Sequence, residues 1–168
     1  FDLQHAGYHA LNSLRVEKGY RHWGHDITVD DTPLEAGLKF AVNFKKDGGF
    51  IGRDALLVQK ENGLKKRLVQ FALDDPRPLM YHDEPIWRDD VIVGYITSGT
   101  YSYTMGCSLG MGYVNNPDGA TATFCKSGNY EIEIACERYS AKASLKPFYD
   151  PKNERIRIYP QPPMERIN

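Results

Sequence analysis

The chain has 168 residues, 41% of them hydrophobic, with 21 basic against 22 acidic side chains and a net charge of -1. That length holds one ordinary domain, or one domain and a small appendix, with enough apolar material for a sizeable core. The balanced charge argues against a nucleic-acid surface, which wants a basic excess, and against a polybasic membrane anchor. No apolar run approaches the length of a membrane span.

Cys107, Cys125 and Cys136 are odd in number and widely spaced. The spacing speaks against a disulfide framework or a structural zinc site and for buried thiols on strands in a reducing compartment. The first residue is Phe1 rather than Met, with no basic-then-apolar leader behind it. The expectation is a piece of a longer chain.

In chain order, Gln4 to Glu17 reads as a helix with Leu3, Ala10, Leu11 and Leu14 on an apolar stripe, Asp2 as N-cap and Gly19 as stop. Asp31-Thr32-Pro33 followed by Glu35 is a helix-entry signal, and Gly37 keeps that helix short. Leu38 to Phe44 alternates apolar and polar, which predicts a half-buried strand. A second helix follows from Arg53 to Asn62, closed by Gly63, and then a strand from Lys66 to Leu73.

Asp74-Asp75-Pro76-Arg77-Pro78 is polar and Pro-rich, and reads as a domain junction. Beyond it the texture changes to short, evenly spaced strands: Glu84–Arg88, Val91–Ile96, Gly110–Val114, Ala120–Lys126, Tyr130–Cys136 and Tyr139–Leu145. Such spacing predicts a small antiparallel barrel. From Pro147 the chain reads as a surface segment. The fold class is therefore α+β, with residues 1–75 as a helix-and-strand part, 76–150 as the barrel and 151–168 as a tail.

No catalytic constellation stands out. His5 and His9 lie one helical turn apart, but no metal-ligand pattern surrounds them. His22 and His25 flank Trp23-Gly24 beside Asp26, and read as side chains bonded to local backbone. Thr97-Ser98-Gly99-Thr100 and Ser102 form a hydroxyl-rich run with no base paired to it. Gly106 to Gly112 is Gly-rich without the Lys of a phosphate loop, and close strand packing or a bulge explains it better. Glu17 is the residue to single out. A carboxylate at the C-terminal end of a helix faces the negative end of the macrodipole and needs compensation. Arg15, Lys18 and Arg21 are one source; a ligand with paired N–H donors, such as a pterin, is another.

The run Leu-Arg-x-Glu-Lys-Gly-Tyr-Arg-x-Trp-Gly-x-Asp from Leu14 to Asp26 resembles the folate-binding region of the glycine-cleavage T-protein (aminomethyltransferase) superfamily. So does Asp31-Thr32-Pro33-Leu34-Glu35-Ala36-Gly37-Leu38. Phe50-Ile51-Gly52-Arg53-Asp54-Ala55-Leu56 and Lys66-Arg67-Leu68-Val69 continue the resemblance. Tyr95 to Ser102 and Leu109 to Val114 are similar to the family's C-terminal barrel. Within the superfamily, Glu17 to Gly24 and Leu145 to Arg155 are most similar to the sarcosine and dimethylglycine dehydrogenases.

The resemblance implies that residues 1–75 are the C-terminal half of the folate-binding domain and that the cofactor is tetrahydrofolate. It implies Glu17 as the pterin-binding carboxylate, with Asp26, Thr32, Pro33 and Glu35 shaping the turn beside it. Trp23 joins the site from the same motif. Lys45 or Lys46 falls where the family has an Arg for the benzoyl-glutamate end, giving a point charge in place of a fork. Tyr149 falls near a tail position that closes the family's site. No catalytic residue is expected in this chain, because the family's Asp near the reacting nitrogens belongs to a half that nothing here matches.

FAD is expected only in an absent N-terminal domain. The expected partners are folate, a small N-methyl amine or aminomethyl donor, and the missing N-terminal part. No nucleic acid or membrane is expected, and the location is a bacterial cytoplasm or the mitochondrial matrix. The alternatives are an aminomethyltransferase proper, or a non-catalytic regulatory module of the same architecture.

Overall fold

The computed structural model describes residues 3–157. The expected Asp2 cap lies outside them, as does most of the expected tail. Helix α1 (Tyr8–Glu17) is followed by loops and a single 3-10 turn at Lys39–Ala41, and then by α2 (Arg53–Asn62). Six strands then form β1 (Lys66–Leu73), β2 (Pro85–Arg88), β3 (Val91–Ser102), β4 (Cys107–Asn115), β5 (Tyr130–Ile134) and β6 (Glu137–Ser144). The short helix α3 (Ala122–Lys126) sits between β4 and β5.

The strands close into an antiparallel barrel in the order β1-β4-β3-β2-β5-β6, with β6 pairing back onto β1. Alternation along β1 sorts its side chains. Val69, Phe71 and Leu73 point into the barrel with Met80, Ile86, Ile96, Val114 and Ile132. Leu68 and Ala72 point outward and meet Val16 of α1, together with Leu109 and Met111 of β4. This is the period of two expected of a strand with both faces covered. The barrel thus supplies one apolar core inside and a second beneath α1.

Close strand approach explains the Gly-rich stretch of β4. A Cβ on Gly112 would stand 2.4 Å from the Tyr95 carbonyl oxygen, and one on Gly94 would stand 1.8 Å from that of Tyr113. No side chain fits at either crossing.

Several elements differ from the sequence expectation. Helix α1 starts at Tyr8 on Gly7, which makes no side-chain capping bond. Its apolar stripe faces outward: Leu3, Leu11 and Leu14 are exposed, while Ser13, Val16 and Glu17 are buried. The barrel wall behind the helix is mixed: β3 offers polar partners to Ser13 and Glu17, and the apolar patch of β1 and β4 takes only Val16. The alternating stretch Leu38–Phe44 is not a strand. It turns through the 3-10 helix, and Phe40 is 85% exposed. The stretch Ala120–Lys126 is helical rather than extended, because Thr121 caps it by accepting the Phe124 N–H at 3.1 Å. Only Cys125 of the three thiols is buried, and it lies on α3; Cys107 is half-buried on β4 and Cys136 is exposed in a turn. The Pro-rich Asp74–Pro78 segment connects β1 to β2 on the surface, so it joins two strands of the barrel rather than preceding the barrel. It is anchored there by the Ser108 hydroxyl, which donates to the Pro78 carbonyl at 2.7 Å.

Helix α2 follows its sequence signal, whereas the entry signal at Thr32 opens a turn in place of the expected short helix. Helix α2 spans Arg53–Asn62 and stops at Gly63, whose φ is 79°. Thr32 and Glu35 form a reciprocal capping box, in which the Thr32 N–H donates to Glu35 Oε2 at 2.9 Å and the Glu35 N–H to Thr32 Oγ1 at 3.2 Å. Gly37, at a φ of 71°, ends that turn.

Candidate functional site

Helix α1 ends in two backbone bonds that fix the direction of its last turn. Gly19 N–H reaches the Val16 carbonyl at 2.9 Å, and Tyr20 N–H reaches the Arg15 carbonyl at 2.8 Å. This is a Schellman motif, and Gly19 supplies its left-handed residue at a φ of 63°. Gln70 of β1 then clamps the end of the helix. Its amide donates to the Val16 carbonyl, and its oxygen accepts the Phe148 N–H at 2.8 Å.

So held, Glu17 is only 2% exposed and points at the β3–β4 hairpin. Its Oε1 accepts the Ser102 hydroxyl at 2.7 Å and the Thr104 N–H at 3.1 Å; its Oε2 accepts the Thr104 hydroxyl at 3.0 Å. The basic neighbours do not compensate the charge. Arg15 pairs with Asp26 at 3.0 Å, Lys18 pairs with Asp150 at 3.2 Å, and Arg21 donates to the Ala36 and Gly19 carbonyls. The carboxylate therefore stands at an unfavourable helix end with hydrogen bonds as its support and no ion pair among the described residues.

Asp26 is the second buried acid, fully enclosed. It joins three segments: Arg15 of α1, the His22 N–H of the loop at 2.8 Å, and the Thr97 hydroxyl of β3 at 2.6 Å. The strand register shifts between Ile96 and Ser98, a bulge that turns Thr97 toward Asp26. Arg15 completes the joint by donating to Ser98 Oγ at 3.0 Å. The Tyr113 hydroxyl donates to the Asp26 carbonyl at 3.0 Å, and burial raises its pKa. Burial likewise lowers that of Arg21, against the opposing charge of Asp26.

Beside Glu17 a cleft of about 740 Å³ opens between α1 and β3. Glu17, Thr104, Ser98 and Arg15 give its polar wall, and Tyr8, Leu14, Tyr101 and Tyr103 give its apolar one. His9, His22, His25 and His82 stand around it, with the rings of His22 and His25 4.6 Å apart. Among the described residues no group of three or more His, Cys, Asp or Glu is placed to hold a metal.

Of the five residues that the resemblance assigns to folate, Glu17, Trp23, Lys45, Lys46 and Tyr149, only Glu17 lines this cleft. Trp23 is 67% exposed on the following loop, and Lys45 and Lys46 are exposed beyond the 3-10 turn. Tyr149 is half-buried, with the Lys18 ammonium 5.8 Å from its ring on the other side of the helix end. Sequence reasoning weighs Ser102 only as a nucleophile and passes over Thr104. The hydroxyl-rich run was the signal, but it marks donors for a carboxylate rather than a nucleophile.

A closed barrel of six antiparallel strands that seats a helix and holds that helix's terminal carboxylate at a cleft defines a narrow class of fold. The glycine cleavage T-protein C-terminal barrel domain matches residues 66–150, and the GCVT N-terminal domain matches residues 1–46. The chain belongs to the glycine cleavage T-protein family.

It is 46% identical over 155 residues to a 4-methylaminobutanoate oxidase (formaldehyde-forming) of Paenarthrobacter nicotinovorans, covering 92% of this chain and 18% of that protein. It is 41% identical over 157 residues to the mitochondrial sarcosine dehydrogenase of Homo sapiens, covering 92% of this chain and 17% of that one. An aminomethyltransferase of Listeria monocytogenes is 38% identical over 143 residues, 85% of this chain and 38% of the relative. The crystal structure of the glycine cleavage system aminomethyltransferase T from Bartonella henselae superimposes with a TM-score of 0.72 at 24% identity, over 84% of this chain and 38% of that one. The chain thus spans under a fifth of the first two relatives, at 18% and 17% of their lengths.

Proposed function

We propose that this chain forms one wall of a tetrahydrofolate site in a one-carbon-transfer enzyme, with Glu17 as the carboxylate that takes the pterin. The observation that carries this reading is the state of Glu17: buried at a helix end, without a cation, and facing a cleft. A buried carboxylate with no ion pair has remaining demand for donors. That acceptor fits a flat heterocycle that offers an N–H and an exocyclic amine on one edge.

In the proposed enzyme, tetrahydrofolate supplies the nucleophilic nitrogens that accept the one-carbon unit. This chain's residues bind and orient. Glu17 fixes one edge of the ring, and Tyr101 and Tyr103 form an aromatic wall with ring centroids 5.2 Å apart. Lys45 and Lys46 would meet the acidic tail. Holding the acceptor in one pose beside its reaction partner is worth orders of magnitude in rate without any group of this chain taking a proton.

The larger protein is read as an FAD-dependent N-methyl amine dehydrogenase of the sarcosine or dimethylglycine type, its oxidising domain and substrate site lying elsewhere in the polypeptide. The identities to the oxidase and the sarcosine dehydrogenase favour that over a free-standing aminomethyltransferase. Placement in a bacterial cytoplasm or the mitochondrial matrix belongs to the same reading. A second reading, a regulatory module without catalysis, is favoured by 42% identity over 158 residues to the mitochondrial pyruvate dehydrogenase phosphatase regulatory subunit of Mus musculus.

Calorimetric titration of tetrahydrofolate into the full-length polypeptide tests the site, and a Glu17→Ala variant is its control. Binding that is lost in the variant supports the reading. Equal heats for the two remove Glu17 from it.

A further inference from the structure

We infer that Thr104 is a positioning residue of this site: its hydroxyl occupies the part of Glu17 that the ligand's N–H donors take, and turns away when they arrive. The inference rests on the reading of Glu17 as the pterin-binding carboxylate.

A carboxylate offers about four acceptor positions. Oε1 is filled twice, by Ser102 Oγ–H and by the Thr104 N–H, and Oε2 once, by Thr104 Oγ1–H. The two bonds on Oε1 are fixed by the fold. Ser102 is fully buried, and its oxygen also accepts the Met105 N–H at 3.0 Å, so its proton is directed at Glu17. The Thr104 amide belongs to a turn closed by the Gly106 N–H on the Ser102 carbonyl at 2.9 Å.

The bond on Oε2 is of another kind. Thr104 is exposed and lines the cleft with Glu17, whereas Ser102 does not. A hydroxyl rotates about one bond, and in an exposed position water replaces its partner at little cost. Oε1 is therefore committed to the protein, and Oε2 is the oxygen presented to the cleft. With Oε1 filled, two adjacent N–H donors cannot take one oxygen each as in the usual fork; they converge on Oε2 and need both of its positions. One is open and the other is held by Thr104.

The hydroxyl thus supports the buried charge while the cleft holds solvent, and competes with the ligand in proportion. A carboxylate with both oxygens locked would refuse a forked donor; one with neither locked would not hold its aim.

The test is equilibrium binding of tetrahydrofolate, kept reduced under nitrogen, to the full-length polypeptide. Thr104→Val removes the hydroxyl, keeps the β-branched shape and keeps the amide that holds Oε1. It should bind roughly 2–10-fold more tightly, less than a full hydrogen bond to a charged acceptor is worth, because water replaces much of an exposed one. Thr104→Ser should restore the wild-type affinity. In a Glu17→Gln background, Thr104→Val should change nothing, since the two act through one contact. Equal or weaker binding by Thr104→Val overturns the inference, because the hydroxyl would then be idle or part of the bound state. Wild-type binding by Glu17→Gln alone overturns the reading beneath it, whatever Thr104 does.

Discussion

Two buried carboxylates on one short stretch, Glu17 and Asp26, are handled in opposite ways, and the contrast divides structure from function. Asp26 is paired with a cation, bonded to two further donors and fully enclosed. Asp26→Ala leaves Arg15 without its partner, with only 15% of its side chain exposed. Breaking such a pair costs about 3–5 kcal/mol. A urea titration should show that loss in midpoint; a change within about 0.5 kcal/mol, the usual scale of a surface substitution, would mean that the joint holds nothing.

Asp31 gives a pH prediction. Burial raises its pKa, but the bonds from Lys66 at 2.7 Å and from the Thr28 N–H and hydroxyl outweigh this and hold it below the ordinary carboxylate value. Its stabilising effect is therefore present above the unfolded pKa, near 4, and fades as pH falls through the lower folded value. Asp31→Asn should be less stable than wild type at neutral pH, with the gap closing below about pH 4. A gap independent of pH would assign the effect to shape rather than charge.

At the scale of elements, helix α1 is the informative failure. Its hydrophobic spacing reads as an inward stripe, yet Leu11 and Leu14 are outside and Ser13 and Glu17 are inside. Ser13 even donates its hydroxyl to the Tyr101 carbonyl of β3 at 2.9 Å. Periodicity reports which face is apolar and not what lies behind it, and here the surface behind it is a strand rich in hydroxyls. The same strand is longer than its hydrophobic signal, for the same reason. Val91–Ile96 carries the hydrophobic signal, while Thr97–Ser102 continues the ladder in polar residues. By contrast α2 and β1 were legible to the residue, because a glycine closes the first and alternating large apolar groups mark the second.

In this chain, Leu11→Ala and Leu14→Ala should change stability by no more than about 0.5 kcal/mol. Val16→Ala, fully buried over the second core, should cost about 2 kcal/mol. Thermal melts of the three variants decide which face the helix buries, and the reverse order would place the leucines inside.

On the scale of the molecule, barrel closure sets the site. Ser98, Ser102 and Thr104 come from β3 and its hairpin, and Asp26 is reached by Thr97 of that strand. Short strands at even intervals announce such a barrel. The sequence does not reveal that β1, before the Pro-rich segment, closes it, because a polar connection within a barrel and one between domains have the same composition. Where the strands cross closely, a side chain has no room. Gly112→Ala would push a Cβ against the Tyr95 carbonyl and force β3 away from β4. The expected loss is about 3 kcal/mol or more, at the upper end for overpacking because backbone must move. Hydrogen exchange should show it as weakened protection along both strands; unchanged protection would mean that the barrel absorbs the methyl.

The central claim is that Glu17 reads paired N–H donors on a pterin, and the most direct measurement removes a donor from the ligand and the charged acceptor from the protein in turn. Tetrahydrofolate and its analogue without the exocyclic 2-amino group are titrated into the wild-type full-length polypeptide and into Glu17→Gln. The wild type should prefer the natural ligand by about 10-fold or more, the worth of a hydrogen bond to a charged acceptor. The variant should bind both weakly and with nearly equal affinity. A variant that keeps the full preference for the amino group contradicts the account.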